Sequence, residues 1–222
     1  MRPVTVLPSL LSCDFARIAD ELAACEAAGA RSLHVDVMDG HFVPNLTLGP
    51  VIVEAMRRST SLELDVHLMM THPLDYVQAF RDAGSDRIYV HVEAIGPRGI
   101  LDGIEQVRAT GAEVGLAFNP DTDPLMWHQA LAAVDAAMIM TVYPGFGGQA
   151  FIEATRERLR ALRGAFPSLP IQVDGGINRD TLALVTADGA DRLVAGSAFF
   201  NDPDRAGFIR FAEGHQAAGE LA

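Results

Sequence analysis

The sequence predicts one (β/α)8 TIM barrel covering residues 1–222, and three observations predict it. Strand-length apolar runs alternate with amphipathic helical segments about eight times from end to end, the pattern of a parallel sheet. The connections are short, and eight such units in 222 residues suit a closed barrel. An open doubly wound sheet is the alternative. Several strands also carry aliphatics on one face and polar side chains on the other. That is expected of a strand that packs helices outside and delivers chemistry to the barrel mouth.

Taken in order, residues 4–7 read as a strand and 14–28 as a helix stopped at Gly29. Residues 32–37 form the second strand, followed after a loop by a helix over 50–58. A strand over 62–69 precedes a helix over 74–83, stopped at Gly84. A strand over 87–92 and a helix over 99–110 come next. The fifth unit is a strand at 113–118 and a helix at 124–133. The sixth is a strand at 137–142 and a charged helix at 153–166. A strand at 171–173 leads to a helix at 179–187, and a strand at 193–195 to a helix at 203–218. Glycine at helix ends and Asp, Pro or Thr at their starts supply the punctuation. No linker or low-complexity tract divides the chain.

Composition narrows the function. The net charge of −12 argues against nucleic acid or an anionic membrane as partner, since both call for a basic face. No apolar run reaches the length of a membrane helix. The opening MRPVTVLPSLLS enters strand-like sequence without a signal-peptide layout, so a cytoplasmic protein is expected. Cys13 and Cys25 are far apart and form no CxxC, which suits reduced, buried thiols. All 17 basic residues are arginine. Schiff-base chemistry, which needs a lysine amine, is therefore closed to this chain.

The chemistry concentrates at strand ends. In LHVDVM, His34, Asp36 and Met38 share one face, and Leu33, Val35 and Val37 the other. In LELDVHLM, Glu63, Asp65, His67 and Met69 oppose four aliphatics. Asp174 ends the seventh strand. A lone histidine in an apolar strand is ordinarily a satisfied core residue. Four metal-compatible side chains, His34, Asp36, His67 and Asp174, all at mouth positions, instead suit a divalent ion such as zinc, iron(II), manganese or cobalt. Strands two and seven are expected across the barrel from each other, so Asp36 and Asp174 would approach a substrate from opposite faces. Two such carboxylates can remove a proton from one side of a carbon and return one to the other, while a metal stabilises the enolate.

Glycine-bearing turns follow three late strands: Gly145-Phe146-Gly147-Gly148, Gly175-Gly176, and Gly196-Ser197. Their backbone amides can hold a phosphate without lysine. Met38, Met69 and Met140 are placed to cap an intermediate and exclude water, though methionine also serves as core filler. Ser9 has two readings, a substrate contact or a helix start. His91 with Glu93, and Asp65 beside His67, read either as support for the metal or as structural pairs. His41, His72, His128 and His215 are assigned to solvent or loops.

The segments LPSLLSCDFARI, LHVDVMDGHFVPNLTLGP, DVHLM, HVEA, PGFGGQAFI, VDGGIN and VAGSAFF, in order from Leu7 to Phe200, resemble the ribulose-phosphate 3-epimerases. The resemblance implies interconversion of D-ribulose 5-phosphate and D-xylulose 5-phosphate. It implies one divalent metal held by His34, Asp36, His67 and Asp174, with Asp36 and Asp174 as the acid/base pair at C3. It also implies that Ser9 and His67 contact substrate, with the phosphate on the glycine turns and Ser197, and that the protein is a homo-oligomer. Tyr143 and the Ala117-Phe118 pair depart from the family's usual pattern, and the similar allulose-6-phosphate epimerases differ near the far end of the substrate. Tyr143 is thus a candidate for setting sugar length. A different class of function, an inactive phosphosugar-binding barrel, predicts loss of a ligand or acid, and none is lost.

Overall fold

The structure, a computed structural model, describes residues 3–218. Eight parallel strands form the barrel: β1 (Thr5–Pro8), β2 (Ser32–Met38), β3 (Glu63–Met69), β4 (Arg87–His91), β5 (Glu113–Phe118), β6 (Ala136–Met140), β7 (Ile171–Asp174) and β8 (Arg192–Ala195). The ladder runs continuously from β1 through β8 back down to β2. A parallel bridge between Ser9 and His34 joins its two ends. The helices are α1 (Ile18–Ala27), α2 (Pro50–Ser59), α3 (Val77–Asp82), α4 (Val92–Ile95), α5 (Ile100–Ala109), α6 (His128–Leu131), α7 (Thr155–Ala165), α8 (Arg179–Ala187), α9 (Ser197–Phe200) and α10 (Arg205–Ala218).

The alternation of side chains produces two separate interiors. Leu33, Val35, Val37, Leu64, Val66, Leu68 and their counterparts on the later strands pack outward, in one core with the helices. Inside the barrel, Tyr89, Ala117, Ala136, Met138 and Met140 form a second cluster. Met38, Val43 and Met69 form a third at the mouth, with Leu11 and Phe42 against it. Gly115 belongs to this inner layer for a steric reason. A Cβ there would lie 2.2 Å from the Tyr89 ring, so only glycine lets the ring cross the barrel.

The inner layers are polar as well as apolar. Parallel pairing sets His34 beside Asp65, Asp36 beside His67, and Met38 beside Met69. Below them, Arg87 reaches Glu63 (2.6 Å), Asp65 (3.3 Å) and Glu113, and Arg192 reaches Glu63 (2.8 Å) and Asp65 (3.1 Å). The floor of the barrel is thus a closed ion network under the histidines.

The expected elements are present, and several of the helices start late. Asp14 accepts from the Ala16 amide and closes a 3-10 turn over Phe15–Arg17, so α1 begins at Ile18. Asp123 does the same for Pro124–Trp127, leaving α6 only four residues. Pro73–Asp75 is a third such turn before α3. β4 ends at His91, and Val92 opens α4. His128 and His215, assigned to solvent or loops, belong to α6 and α10, where His128 is exposed as expected and His215 is half-buried. No helix among the described residues is long and apolar enough to cross a membrane.

Candidate active site

β2, β3 and β7 bring His34, Asp36, His67 and Asp174 together, with one ligand atom of each inside a 4.8 Å span. His34 Nε2 lies 3.4 Å from Asp36 Oδ1 and 3.7 Å from Asp174 Oδ2. His67 Nδ1 lies 3.5 Å and 3.6 Å from the same two oxygens. The four atoms therefore alternate, imidazole and carboxylate, with the two carboxylates at opposite corners. Contrary to expectation, β7 is not directly across from β2. β1 and β8 stand between them, three steps round the ring. The carboxylates oppose each other because their side chains, not their strands, meet from two sides.

These separations exceed good hydrogen bonds. They match the roughly 3.4 Å between neighbouring ligands that each stand about 2.1 Å from one ion. His34 Nε2 and His67 Nδ1 are buried and have no hydrogen-bond partner. Buried polar nitrogens rarely lack one. Each can offer a lone pair to a cation in place of a proton, and the donor set of two imidazoles and two carboxylates fits a divalent transition metal. The electrostatics agree. Burial disfavours a charged His34, yet Asp36, Asp65 and Asp174 raise its proton affinity well above the ordinary imidazole value. Burial likewise opposes ionisation of Asp36, and the facing imidazoles still hold it well below the carboxylate range. The cluster attracts positive charge.

Three of the four ligand candidates are held from behind. His34 Nδ1 is 2.7 Å from Asp65 Oδ1, which also accepts from Gln172 Nε2 at 3.0 Å. Asp65 therefore backs His34 and not, as its place in the same strand suggested, His67. His67 Nε2 is 2.8 Å from His91 Nε2. Burial pushes His91 down to about 4, so it is neutral at physiological pH. Ser9 Oγ donates to Asp36 Oδ2 at 2.7 Å. Ser9 also stands at the start of a 3-10 turn over Leu10–Ser12, as its second reading expected, but its side chain caps nothing there.

Above this cluster opens a cavity of about 440 Å³. Asp36 and Asp174 face it, as do Ser9, Met38, Met69, Met140, Gly145 to Gly148, Gly175, Gly176, Gly196 and Ser197. His34 and His67, both fully buried, lie beneath its wall. His67, expected to touch substrate, does not line the cavity. Gly145, Gly148, Gly175 and Gly176 have positive φ. A Cβ at Gly175 would come 2.4 Å from the Val142 side chain, and one at Gly176 2.8 Å from the Phe151 backbone nitrogen. The first amides of α8 are taken by the Asn178 cap.

Sequence reasoning missed several residues that line this wall or brace it. Ser12 lines it and packs against Gly196, where a Cβ would meet its Oγ at 2.6 Å. Gln149 Nε2 donates to the Tyr143 and Phe146 carbonyls (2.7 and 2.8 Å), and Asn45 Nδ2 to the Gly145 carbonyl (2.7 Å). Amides and hydroxyls in loops announce little, because their partners lie up to a hundred residues away. Tyr143 turns away from the cavity. Its hydroxyl donates to Asp121 Oδ2 at 2.6 Å, linking the loops that follow β5 and β6. Phe118 is buried among the helices.

Residues 5–200 match the model of the ribulose-phosphate 3 epimerase family. A ribulose-phosphate 3-epimerase of Bacillus subtilis is 43% identical over 207 residues, covering 91% of this chain and 94% of the relative. Another, from Rhodobacter capsulatus, is 46% identical over 202 residues, covering 90% and 87%. Among solved structures, 3-hexulose-6-phosphate synthase superposes with a TM-score of 0.68 at 17% identity, covering 96% of this chain and 99% of that one. A tryptophan synthase alpha-subunit from Pyrococcus furiosus gives 0.69 at 15%, covering 97% of each. Those two share the fold.

Proposed function

The chain belongs to the ribulose-phosphate 3-epimerase family, isomerases that act on carbohydrates, and on that premise we propose that it epimerises a pentose phosphate at C3 with one divalent metal and two aspartates. The substrate pair is D-ribulose 5-phosphate and D-xylulose 5-phosphate. The observation that carries the reading is the alternating ring of His34, Asp36, His67 and Asp174, with two unpartnered ring nitrogens and both carboxylates open to the cavity.

His34, Asp36, His67 and Asp174 would hold the metal, and zinc, iron(II), manganese and cobalt all accept such donors. When bound, it supplies positive charge next to the oxygen that becomes anionic as the C3 proton leaves. Asp36, kept ionised and oriented by Ser9, takes the proton from C3. The C–H pair becomes the C2–C3 double bond of an enediolate, and the C2 carbonyl pair moves to oxygen. Asp174, at the opposite corner, gives its proton to the other face of C3 and the carbonyl reforms. The centre is inverted, and the reverse reaction exchanges the two roles. Met38, Met69 and Met140 line the cavity with thioethers that offer the planar intermediate no proton. The phosphate lies on the glycine turns after β6, β7 and β8. Tyr143 and Phe118 do not line the cavity, which removes the specific support for a longer sugar. Leu46, in the loop before α2, and Val51, in its first turn, are exposed and support the homo-oligomer reading, which light scattering tests.

Turnover in D2O tests the proton chemistry. Deuterium should enter C3 of the product, and product formed without it would sink the two-acid scheme. Asp174→Asn should abolish turnover while still binding a pentose phosphate. A variant with near-full rate would refute the role of Asp174.

A further inference from the structure

Behind His67 runs a chain of groups that the proton transfers do not use. His67 Nε2 is 2.8 Å from His91 Nε2, and His91 Nδ1 is 3.0 Å from Glu93 Oε2. The two ring centroids lie 4.9 Å apart with 25° between their planes, and the Phe42 ring centroid lies 4.8 Å from that of His91. Both imidazoles are fully buried. The other carboxylate oxygen, Oε1, accepts from the Asn119 amide at 2.8 Å and from the Thr122 hydroxyl. Glu93 thus stands between the metal ligands and the loop after β5.

A hydrogen bond between two ring nitrogens needs one N–H and one lone pair. An ionised carboxylate only accepts, so Glu93 calls for the proton on His91 Nδ1. That leaves a lone pair on His91 Nε2, which calls for a proton on His67 Nε2. His67 Nδ1 is then the bare nitrogen, and it is the buried, unpartnered atom that faces Asp36 and Asp174. We infer that Glu93 is a positioning residue: acting through His91, it holds His67 in the tautomer whose free lone pair points into the metal site. The inference rests on the metal reading above and extends it to a group two hydrogen bonds behind the ligand. Asp65 does the corresponding work for His34 directly, by accepting from Nδ1 and leaving Nε2 bare. The two ligand imidazoles therefore present different nitrogens, each dictated by what stands behind it.

Glutamine at position 93 loses this control. Its amide can donate to His91 Nδ1, which reverses both tautomers and puts a proton on His67 Nδ1, where a cation must displace it. Glu93→Gln should therefore weaken zinc binding by about 10- to 100-fold, the range for partners that orient a ligand histidine, read by competition with a chromophoric chelator. Thr122→Val removes the hydroxyl contact to the loop and leaves His91 untouched, so zinc affinity should stay at the wild-type value. Equal affinity in Glu93→Gln, or an equal loss in Thr122→Val, overturns the inference. The tautomers are read independently by nitrogen-15 NMR of the metal-free wild-type protein at alkaline pH, which needs no variant to fold. A proton on His91 Nδ1 and on His67 Nε2 is expected, and the opposite pair overturns the relay. Wild-type protein that binds no zinc would instead defeat the metal reading, with the NMR result still deciding the relay.

Discussion

Asp65→Asn should cost the barrel more stability than any single change at its mouth. Asp65 is fully buried and touches four groups: His34 Nδ1 at 2.7 Å, Gln172 Nε2 at 3.0 Å, Arg192 at 3.1 Å and Arg87 at 3.3 Å. Burial works against its charge, but the His34 hydrogen bond and the two guanidiniums hold its carboxyl far below the ordinary range. Asparagine keeps the shape and removes the charge. Glu63 and Glu113 remain to face the arginines, but both are partly exposed, so they replace little of what is lost. Removing one partner from a buried charge network costs about 3–5 kcal/mol. In a chain of this length each kcal/mol shifts Tm by about 2–4 °C, so the variant should melt about 6–20 °C lower. The comparison is made by urea denaturation and calorimetry with chelator present, so that metal linkage does not mask the effect. The pH dependence has a definite sign. A depressed folded-state pKa stabilises fully above the unfolded value, about 3.9, and that contribution fades as pH falls below it. The gap between wild type and variant should therefore be widest near neutrality and narrow below about pH 4. A loss under about 1 kcal/mol at pH 7, or a gap that does not narrow in acid, would refute the reasoning.

Three further changes probe the mouth. Gly176→Ala places a Cβ 2.8 Å from the Phe151 backbone at a φ of +65°, so it should raise KM for a ketose phosphate at least about tenfold, equivalent to about 1.4 kcal/mol of binding; an unchanged KM would remove Gly176 from the phosphate site. Tyr143→Phe cuts the 2.6 Å bond to Asp121, so hydrogen exchange should speed up in the loop after β6 while the preference for pentose over hexose phosphates stays constant; a changed preference would return Tyr143 to the cavity. Asp39 accepts from the amides of His41, Phe42 and Thr71, each at 2.8 Å, and against the cost of burial these hold its carboxyl at about 2. Asp39→Ala should raise exchange at Phe42 and Thr71. In the wild-type protein the same loosening should appear only as pH falls below the unfolded carboxylate value, about 3.9, and through about 2.

The parts of this molecule that could be read in advance are those governed by one strand at a time. The period of two in residues 62–69 separates Leu64, Val66 and Leu68 from Asp65, His67 and Met69 with no knowledge of any neighbour, and the structure keeps that division in distinct clusters. A carboxylate or imidazole at a strand's C-terminal end must reach the mouth once the barrel closes, so the meeting of His34, Asp36, His67 and Asp174 followed from topology. What stayed hidden depends on register between strands. Asp65 backs His34 because β2 and β3 pair those two residues side by side, and a shift of two along either strand would hand it to another partner. Gly115 reads as a weak point in a strand until the Tyr89 ring is laid across it. Glu93 reads as the next inward residue of β4, yet the strand stops at His91. The chain then turns into α4, and the turn brings the carboxylate back onto His91 Nδ1. The same turn leaves its second oxygen for the loop after β5, and Asp121 of that loop binds Tyr143 beside the glycine turn. Hydrogen bonds and short backbone links therefore run from a metal-ligand candidate to the edge of the glycine turn after β6. Each step joins a different pair of strands or loops, which is why no single stretch of sequence displays it.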